Sequence, residues 1–172
     1  MSEKSEVLFL VDDDSIYLKS IEHYFNQKLG DKFTIKAFST GEECLSNLYL
    51  RPSIIVLDYY LDGVKKEAIN GLDVLKKIKE TKFETDVIML SGADNLEIAN
   101  NCIGNGAYDF VIKSETALVK TRNIIENIYK SLNQRNKLKS QKKWLTIVSV
   151  ILLINYIIIF FIHKFYPDLF LR

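Results

Sequence analysis

The sequence contains little cysteine, since only Cys44 and Cys102 occur among its 172 residues. Neither belongs to a C-x-x-C pair or to a spacing typical of metal ligands, which argues against a disulfide framework and a cysteine metal site. We expect two reduced thiols that pack as small core or helix residues. Internal repeats and low-complexity segments are also absent, which excludes a repeat array.

Acidic residues are absent from one long stretch, between Glu126 and Asp168. Residues 1–130 hold 16 Lys and Arg against 21 Asp and Glu, a net charge of −5. Residues 131–143 instead hold five positive residues and no acid: Arg135, Lys137, Lys139, Lys142 and Lys143. Because these charges directly precede an apolar run, they do not indicate a nucleic-acid partner.

Short apolar runs alternate with helical patterns along the acidic part of the chain. Strands are predicted where a run ends on a polar residue, and helices where apolar residues recur every three or four positions. The predicted strands are 7–11, 33–38, 53–58, 86–91 and 108–113. The predicted helices are 15–29, 40–50, 71–80, 96–103 and one from about 115 into the basic stretch. This alternation indicates an α/β fold with a parallel sheet covered by helices on both faces.

Polar residues end four of the predicted strands. They are Asp12, Asp13 and Asp14 after the first, Asp58 on the third, Ser91 on the fourth and Lys113 on the fifth. In parallel α/β sheets, ligand sites lie beyond the carboxyl ends of the strands, so we expect these side chains on one rim. Any one alone is more typical of a helix cap or a solvated strand end. Their matching positions on separate strands indicate a shared site.

The expected rim combines carboxylates with one hydroxyl and one ammonium group. Clustered carboxylates repel one another and therefore favour a bound cation, and an all-oxygen ligand set favours Mg²⁺. Lys113 and Ser91 are suited to contact a phosphoryl group. An aspartate can be the nucleophile of phosphoryl transfer, so the pattern is compatible with an aspartyl-phosphate site.

Four segments resemble the signature segments of response-regulator receiver domains in two-component signalling: LFLVDDDS, IIVLDYYLDG, VIMLSGAD and GAYDFVIK. The resemblance covers about residues 5–130 and implies a flavodoxin-like, doubly wound, five-stranded parallel sheet of order 2-1-3-4-5. It implies a partner, either a sensor histidine kinase or a phosphotransfer protein, that donates the phosphoryl group from a phosphohistidine. Apart from catalysing its own phosphorylation and dephosphorylation, such a domain is not an enzyme.

The resemblance also implies roles for single residues. Asp58 matches the phosphoacceptor, and the Mg²⁺ ligands would be Asp12, Asp13, Asp58 and the backbone carbonyl of Tyr60. Asp14 falls just after the family's acidic pair and is left as a bystander or a supporting group. Three further positions match the residues that assist the transfer or act in the switch: Lys113, Ser91 and Phe110.

The loop after Asp58 departs from the family pattern. Asp62 stands where the family usually has proline, and the loop runs thirteen residues to Gly71. Ser114 follows Lys113, where the family again usually has proline, so the usual cis peptide is not expected. These departures leave the loop conformation, the metal affinity and the choice of partner open.

Residues 144–162 form an uncharged run of nineteen residues, WLTIVSVILLINYIIIFFI. A helix of this length is roughly 28 Å long, near the thickness of the hydrocarbon core of a bilayer. Trp144 and the aromatic residues near the far end suit the two interfaces, and the positive residues before the run place the acidic domain in the cytoplasm. A buried helix of a soluble domain is the alternative, but the five-stranded fold is complete without it.

We therefore expect four parts: a receiver domain (5–130), a basic juxtamembrane helical neck (131–143), a transmembrane helix (144–162) and a short tail (163–172). The chain would be a single-pass protein of the cell membrane, with the lipid bilayer and an unknown downstream protein as partners. No output domain is expected after the receiver. Two alternatives stay open: a receiver-like scaffold that is not phosphorylated, and a phosphohydrolase with an aspartate nucleophile. The latter typically needs a second aspartate where this sequence has Tyr60.

Overall fold

The computed structural model describes residues 5–61, 69–81 and 83–165. The strands are β1 (Glu6–Val11), β2 (Phe33–Phe38), β3 (Ile54–Asp58), β4 (Asp86–Ser91) and β5 (Asp109–Ile112). The helices are α1 (Ser15–Leu29), α2 (Gly41–Ser46), α3 (Gly71–Glu80), α4 (Leu96–Gly104) and α5 (Ala117–Phe165). The chain divides into two compact units, Met1–Asn127 and Ile128–Arg172.

The five strands form one parallel sheet in the order β2-β1-β3-β4-β5. The predicted flavodoxin-like fold and its strand order are therefore confirmed. Strand order reverses at β1, whose neighbours are β2 and β3, and such a reversal opens a crevice at the carboxyl ends of the strands. Asp58 pairs in register with Leu90, one residue before the end of β4, so β3 and β4 end at the same edge.

The core lies on both faces of the central strands. Every residue of β3 is buried, as its unbroken apolar run predicts. Cys44 and Cys102 are free thiols and both are fully buried in this core, which confirms the expectation for them. Burial raises the pKa of Cys44 to about 12, so its thiol is protonated at neutral pH and unreactive.

Helix α2 is shorter than the sequence predicts. Thr40 caps it, since its hydroxyl accepts from the N–H of Glu43 at 3.2 Å. The Glu43 carboxylate accepts in turn from the N–H of Ser39 at 3.1 Å, one residue before the cap. The α-helix ends at Ser46, and a 3₁₀ turn over Leu48–Leu50 completes the predicted span. Tighter 3₁₀ turns commonly close helix ends in this way.

Helix α5 contains 49 residues, so the predicted neck and the predicted span lie on one continuous helix. Large apolar side chains are exposed along residues 144–160; Leu152, for example, is 65% exposed. By length and composition this helix could cross a membrane. Residues 62–68, which include Asp62, and residues 166–172 lie outside the described part of the chain.

Candidate functional site

Three carboxylates meet at the carboxyl edge of the sheet. Asp12 and Asp13 follow β1, and Asp58 is the last residue of the adjacent strand β3. One carboxylate oxygen from each of them lies within 4.8 Å of the others. Asp12 is fully buried and Asp58 is 3% exposed. The structure thus brings together three of the four aspartates that the sequence placed on one rim.

Lys113 joins this cluster from the end of β5. Its Nζ lies 2.7 Å from Asp12 Oδ2 and 3.0 Å from Asp58 Oδ2. Its backbone N–H donates to the carbonyl oxygen of Ser91 at 2.7 Å, which continues the ladder between β4 and β5 beyond the last strand residue. The lysine therefore provides a positive charge shared by two buried carboxylates.

Burial dominates the electrostatics of this cluster. It raises the pKa of Asp58 to about 6; the Asp12 charge adds to this effect and Lys113 opposes it. The pKa of Asp12 is also raised by burial, against the hydrogen bond from Lys113. Burial alone would lower the pKa of Lys113, but its hydrogen bond to Asp12 and the charge of Asp58 outweigh that effect and raise it. Buried like charges of this kind favour a bound cation.

Ser91 and Phe110 lie on the two strands beyond Asp58. Ser91 ends β4, is fully buried, and its Oγ accepts from the N–H of Ala93 at 3.1 Å. Phe110 lies in β5, is paired in register with Met89 and packs partly buried against the core. Both predicted residues therefore lie on β4 and β5, the two strands next to β3 on the Lys113 side of the sheet.

Asp14 is a helix cap and does not join the carboxylate cluster. Its Oδ1 accepts from the N–H groups of Ile16 and Tyr17 at 2.9 and 3.1 Å, which fixes the first turn of α1. Its own N–H donates to Asp12 Oδ1 at 3.1 Å. It thus supports the site through the backbone, one of the two roles that the sequence left open.

The sequence did not single out Tyr17 as a site residue. Its ring lies 4.7 Å from the Nζ of Lys113, in cation–π contact, and its buried hydroxyl has no hydrogen-bond partner among the described residues. Burial raises its pKa, against the effect of Lys113. One feature of the sequence could have indicated this role. Tyr17 falls in the first turn of the helix that follows the aspartates, where side chains lie near the strand ends.

Gly71 also supports the site in a way that its sequence context did not reveal. A β-carbon at this position would lie 2.0 Å from the carbonyl oxygen of Asp58 and 2.8 Å from the Cα of Tyr59. The N–H of Gly71 donates to the carbonyl oxygen of Tyr59 at 3.0 Å. Helix α3 therefore starts in direct contact with the backbone of Asp58, and only glycine allows that approach.

We predict that Gly71→Ala destabilises the fold by about 1 to 3 kcal/mol, because backbone atoms cannot yield to the added methyl group as a flexible side chain can. Chemical denaturation followed by circular dichroism measures this change. Gly104→Ala is the matched control, since a β-carbon there meets no atom within 4 Å. It should be neutral or slightly stabilising. Equal stability of the two variants would contradict the close contact at Asp58.

A pH dependence follows from the raised pKa of Asp58. Between its ordinary value of 3.8 and about 6, the folded chain binds more protons than the unfolded chain, so stability falls as pH rises through this window. Without divalent cations, Asp58→Asn should stabilise the chain by up to about 3 kcal/mol at pH 8 and hardly at all at pH 4. Denaturation at both pH values, in detergent, measures the difference. A stability difference between wild type and Asp58→Asn that is the same at both pH values would contradict a raised pKa of Asp58.

The donor set fits Mg²⁺. Asp58 Oδ1 is buried without a hydrogen-bond partner among the described residues, so one lone-pair site of a largely ionised carboxylate is left for another ligand. The ligand atoms brought together are all carboxylate oxygens, which suit a hard cation better than zinc or copper.

Tyr60 is 43% exposed, and its ring packs edge-on against Tyr59 at 4.9 Å. No peptide bond among the described residues is cis, in line with Ser114 after Lys113.

Comparison with known protein families gives one match that covers most of the chain. A family described as the response regulator receiver domain matches residues 8–125. The nitrogen assimilation regulatory protein NtrX of Azorhizobium caulinodans is 37% identical over 81 residues, which are 45% of this chain and 17% of that protein. The probable C4-dicarboxylate response regulator DctR of Bacillus subtilis is 27% identical over 87% of this chain and 65% of its own length. The chain thus spans less than two thirds of either relative.

Solved structures agree with this match. The receiver domain of NtrX from Brucella abortus superimposes with a TM-score of 0.62 at 25% identity, covering 72% of this chain and 99% of that domain. The receiver domain of response regulator 1452 from Francisella gives a TM-score of 0.63 at 21% identity, covering 74% of this chain and 99% of that domain, and supports the fold alone.

Proposed function

This chain belongs to the response regulator receiver domain family, and from that premise we propose that it is a membrane-anchored phosphoacceptor whose Asp58 takes a phosphoryl group. The donor is a phosphohistidine on a sensor histidine kinase or on a phosphotransfer protein. The observation that carries the proposal is the pairing of Lys113 with Asp58 at 3.0 Å, beside Asp12 and Asp13, at the carboxyl edge of the sheet. Receiver domains are signalling modules, so the product is a changed binding surface.

The two oxygens of Asp58 have different surroundings, and this difference assigns their roles. Oδ2 contacts the ammonium group of Lys113, whereas Oδ1 is buried without a hydrogen-bond partner among the described residues. Because Oδ1 is the oxygen left for Mg²⁺, we assign Oδ2, beside Lys113, as the nucleophile. Its lone pair forms the new bond to phosphorus while the bond from phosphorus to the histidine nitrogen breaks, and the electron pair leaves with the imidazole. Lys113 and the Ser91 hydroxyl then stabilise the charged phosphoryl oxygens.

Asp12, Asp13, Asp58 and the backbone carbonyl of Tyr60 are the residues that would hold Mg²⁺. When bound, this ion neutralises negative charge on the carboxylates and on the phosphoryl oxygens. Without it, a negatively charged phosphoryl donor would approach three clustered carboxylates that are opposed by one lysine.

The signal is a shift between two conformations of the receiver domain. Once Asp58 carries a phosphoryl group, Ser91 gains a charged acceptor on the adjacent strand end, and Phe110 on β5 repacks with it. The surface that changes comprises α4, β5 and the start of α5. A downstream protein would read this surface.

The C-terminal helix places this switch at a membrane. We assign residues 5–130 to the receiver domain, 131–143 to the basic neck, 144–162 to the transmembrane helix and 163–172 to the tail. The neck has five positive residues and no acid, which favours the cytoplasmic side. Exposed apolar side chains along the helix favour lipid as its surroundings, because water would leave a large apolar surface uncovered.

Incubation of the full chain with Mg²⁺ and acetyl phosphate, followed by intact-mass measurement, separates the alternatives. A stable mass gain of one phosphoryl group that depends on Mg²⁺ supports the phosphoacceptor. The absence of any adduct favours a receiver-like scaffold that is not phosphorylated. Sustained turnover of phosphate esters without a stable adduct favours a phosphohydrolase.

A further inference from the structure

Two of the polar side chains in the apolar run of α5 are satisfied within their own helix. The hydroxyl of Thr146 donates to the carbonyl oxygen of Lys142 at 3.0 Å. The hydroxyl of Ser149 donates to the carbonyl oxygen of Thr146 at 2.8 Å. Hydroxyls that bond to the preceding turn can enter hydrocarbon without a partner from outside the helix. Neither residue therefore requires a neighbouring helix.

Asn155 differs from these two residues. Its amide nitrogen Nδ2 donates one hydrogen to the carbonyl oxygen of Ile151 at 2.9 Å. A primary amide has two hydrogens and a carbonyl acceptor. The second hydrogen and Oδ1 have no partner among the residues that the structure describes. Residue 155 lies two positions from the centre of residues 144–162, so this unsatisfied amide would be near the bilayer midplane, where no water is available.

Asn155 also belongs to one of two rows of residues that lie on the same side of the helix. One row repeats every seven residues and consists of Leu138, Leu145, Leu152 and Ile159. The second row, three residues later, consists of Gln141, Val148 and Asn155. Spacing of seven with an offset of three is the pattern of a helix seam that packs against another helix. The side chains of Leu145 and Leu152 are 69% and 65% exposed, so this seam is uncovered in the single chain.

From the amide and the seam together, we propose that the membrane helix pairs with the same helix of a second copy of this chain, with Asn155 at the contact. This inference rests on the membrane anchor of the proposed function. A primary amide is self-complementary: Oδ1 of each copy accepts the free Nδ2 hydrogen of the other, which gives a symmetric pair with equivalent contacts in both copies. Both copies insert in the same direction, so their Asn155 residues lie at the same depth.

The basic neck opposes close approach of two copies, because its five positive residues repel one another. The contact is therefore assigned to the part of the seam within the span, from Leu145 onward, and not to Leu138 and Gln141 in the neck. Tyr156 follows Asn155 at the edge of the seam, and its hydroxyl is not needed for the amide pair. This makes Tyr156→Phe a control that removes one polar group at nearly the same depth.

The test uses the full chain, labelled separately with donor and acceptor fluorophores and reconstituted into phosphatidylcholine vesicles. Energy transfer between copies is measured as the ratio of protein to lipid is varied. Wild type is expected to show saturable transfer. Asn155→Leu should weaken the association constant roughly tenfold, as loss of a hydrogen bond within the membrane implies. Tyr156→Phe and Ser149→Ala should change it less than about threefold.

A cysteine cross-linking experiment tests the orientation of the seam. With buried Cys44 and Cys102 as the unchanged background, Leu152→Cys should form disulfide-linked dimers in vesicles under mild oxidation, and Leu153→Cys should do so much less. Equal cross-linking at both positions would overturn the seam, and undiminished energy transfer in Asn155→Leu would overturn the amide contact. Transfer only with a different membrane protein added would assign the amide to that partner and overturn pairing of copies.

Failure of this inference can be told apart from failure of the anchor. Flotation of the vesicles on a density gradient reports whether the wild-type chain is inserted. A chain that floats with the lipid but shows no energy transfer is an anchored monomer, which overturns pairing alone. A chain that stays at the bottom of the gradient overturns the anchor and the pairing together.

Discussion

Replacement of Asp58 by asparagine is expected to abolish the phosphorylated form of the chain completely. The amide that replaces the carboxylate is the same size and can still accept from Lys113, so the fold and the surroundings of the site are kept. It is not nucleophilic, because its nitrogen lone pair is delocalised and its oxygen carries no formal charge. Intact-mass measurement after incubation with Mg²⁺ and acetyl phosphate should show one phosphoryl group on wild type and none on Asp58→Asn.

Asp14→Asn is the matched control for this experiment. It removes a carboxylate of the same aspartate run, but it keeps the cap of α1, since asparagine caps helices about as well as aspartate. It should be phosphorylated to the same extent as wild type. Comparable adduct on Asp58→Asn, or complete loss on Asp14→Asn, would contradict the assignment of Asp58 as the acceptor.

Substitution of two arginines into the middle of the apolar run should move the chain from the membrane to the soluble fraction. The run contains 14 Ile, Leu, Val and Phe residues, which favour insertion by about 4 to 8 kcal/mol in total. Replacing Leu153 and Ile157 by arginine costs about 6 to 8 kcal/mol on the same scale and cancels that gain. Membranes washed at alkaline pH should retain wild type and lose the double variant.

The double variant Leu153→Ala/Ile157→Ala controls for lost side-chain volume at the same positions. It lowers the apolar gain by only about 1 kcal/mol and should stay in the membrane fraction. Retention of the arginine variant would contradict a membrane span. Release of both double variants would show that retention in the membrane fraction depends on side-chain packing at these two positions and not on insertion into lipid.

Much of the fold could be predicted because each strand and helix leaves its own local pattern in the sequence. Central parallel strands are buried on both faces and therefore appear as unbroken apolar runs, as β3 does. Helix α1 has the predicted bounds since a polar residue precedes it and a glycine follows it. The family resemblance then supplied the strand order that local patterns cannot give.

Parts of the site that depend on packing were not predictable from local patterns. Gly71 looks like the start of a helix in the sequence, and only the structure places it against the carbonyl of Asp58. Tyr17 lies in the first turn of α1, and only the structure places its ring beside the charge of Lys113. Both contacts join elements that are distant along the chain, and hydrophobic periodicity contains no information about them.

Confinement to a membrane has a direct consequence for a receiver domain. In the proposed arrangement, a tethered domain would meet a kinase in the same membrane at a raised effective concentration, so a weaker docking contact would suffice for efficient transfer. Pairing of two copies through Asn155 would further place two receiver domains beside one kinase. The output surface would then be presented as a pair, which favours a downstream protein that binds two sites at once.

Chemical mapping of the phosphorylated residue tests the central claim most directly. Borohydride reduces an aspartyl phosphate to homoserine, and the phosphoryl group leaves as phosphate, so the acceptor is marked permanently. The full chain is phosphorylated with Mg²⁺ and acetyl phosphate, reduced, digested and sequenced by mass spectrometry. We predict homoserine at position 58 and nowhere else. Homoserine at position 12 or 13, or a phosphoryl group that survives on a serine, would contradict the account.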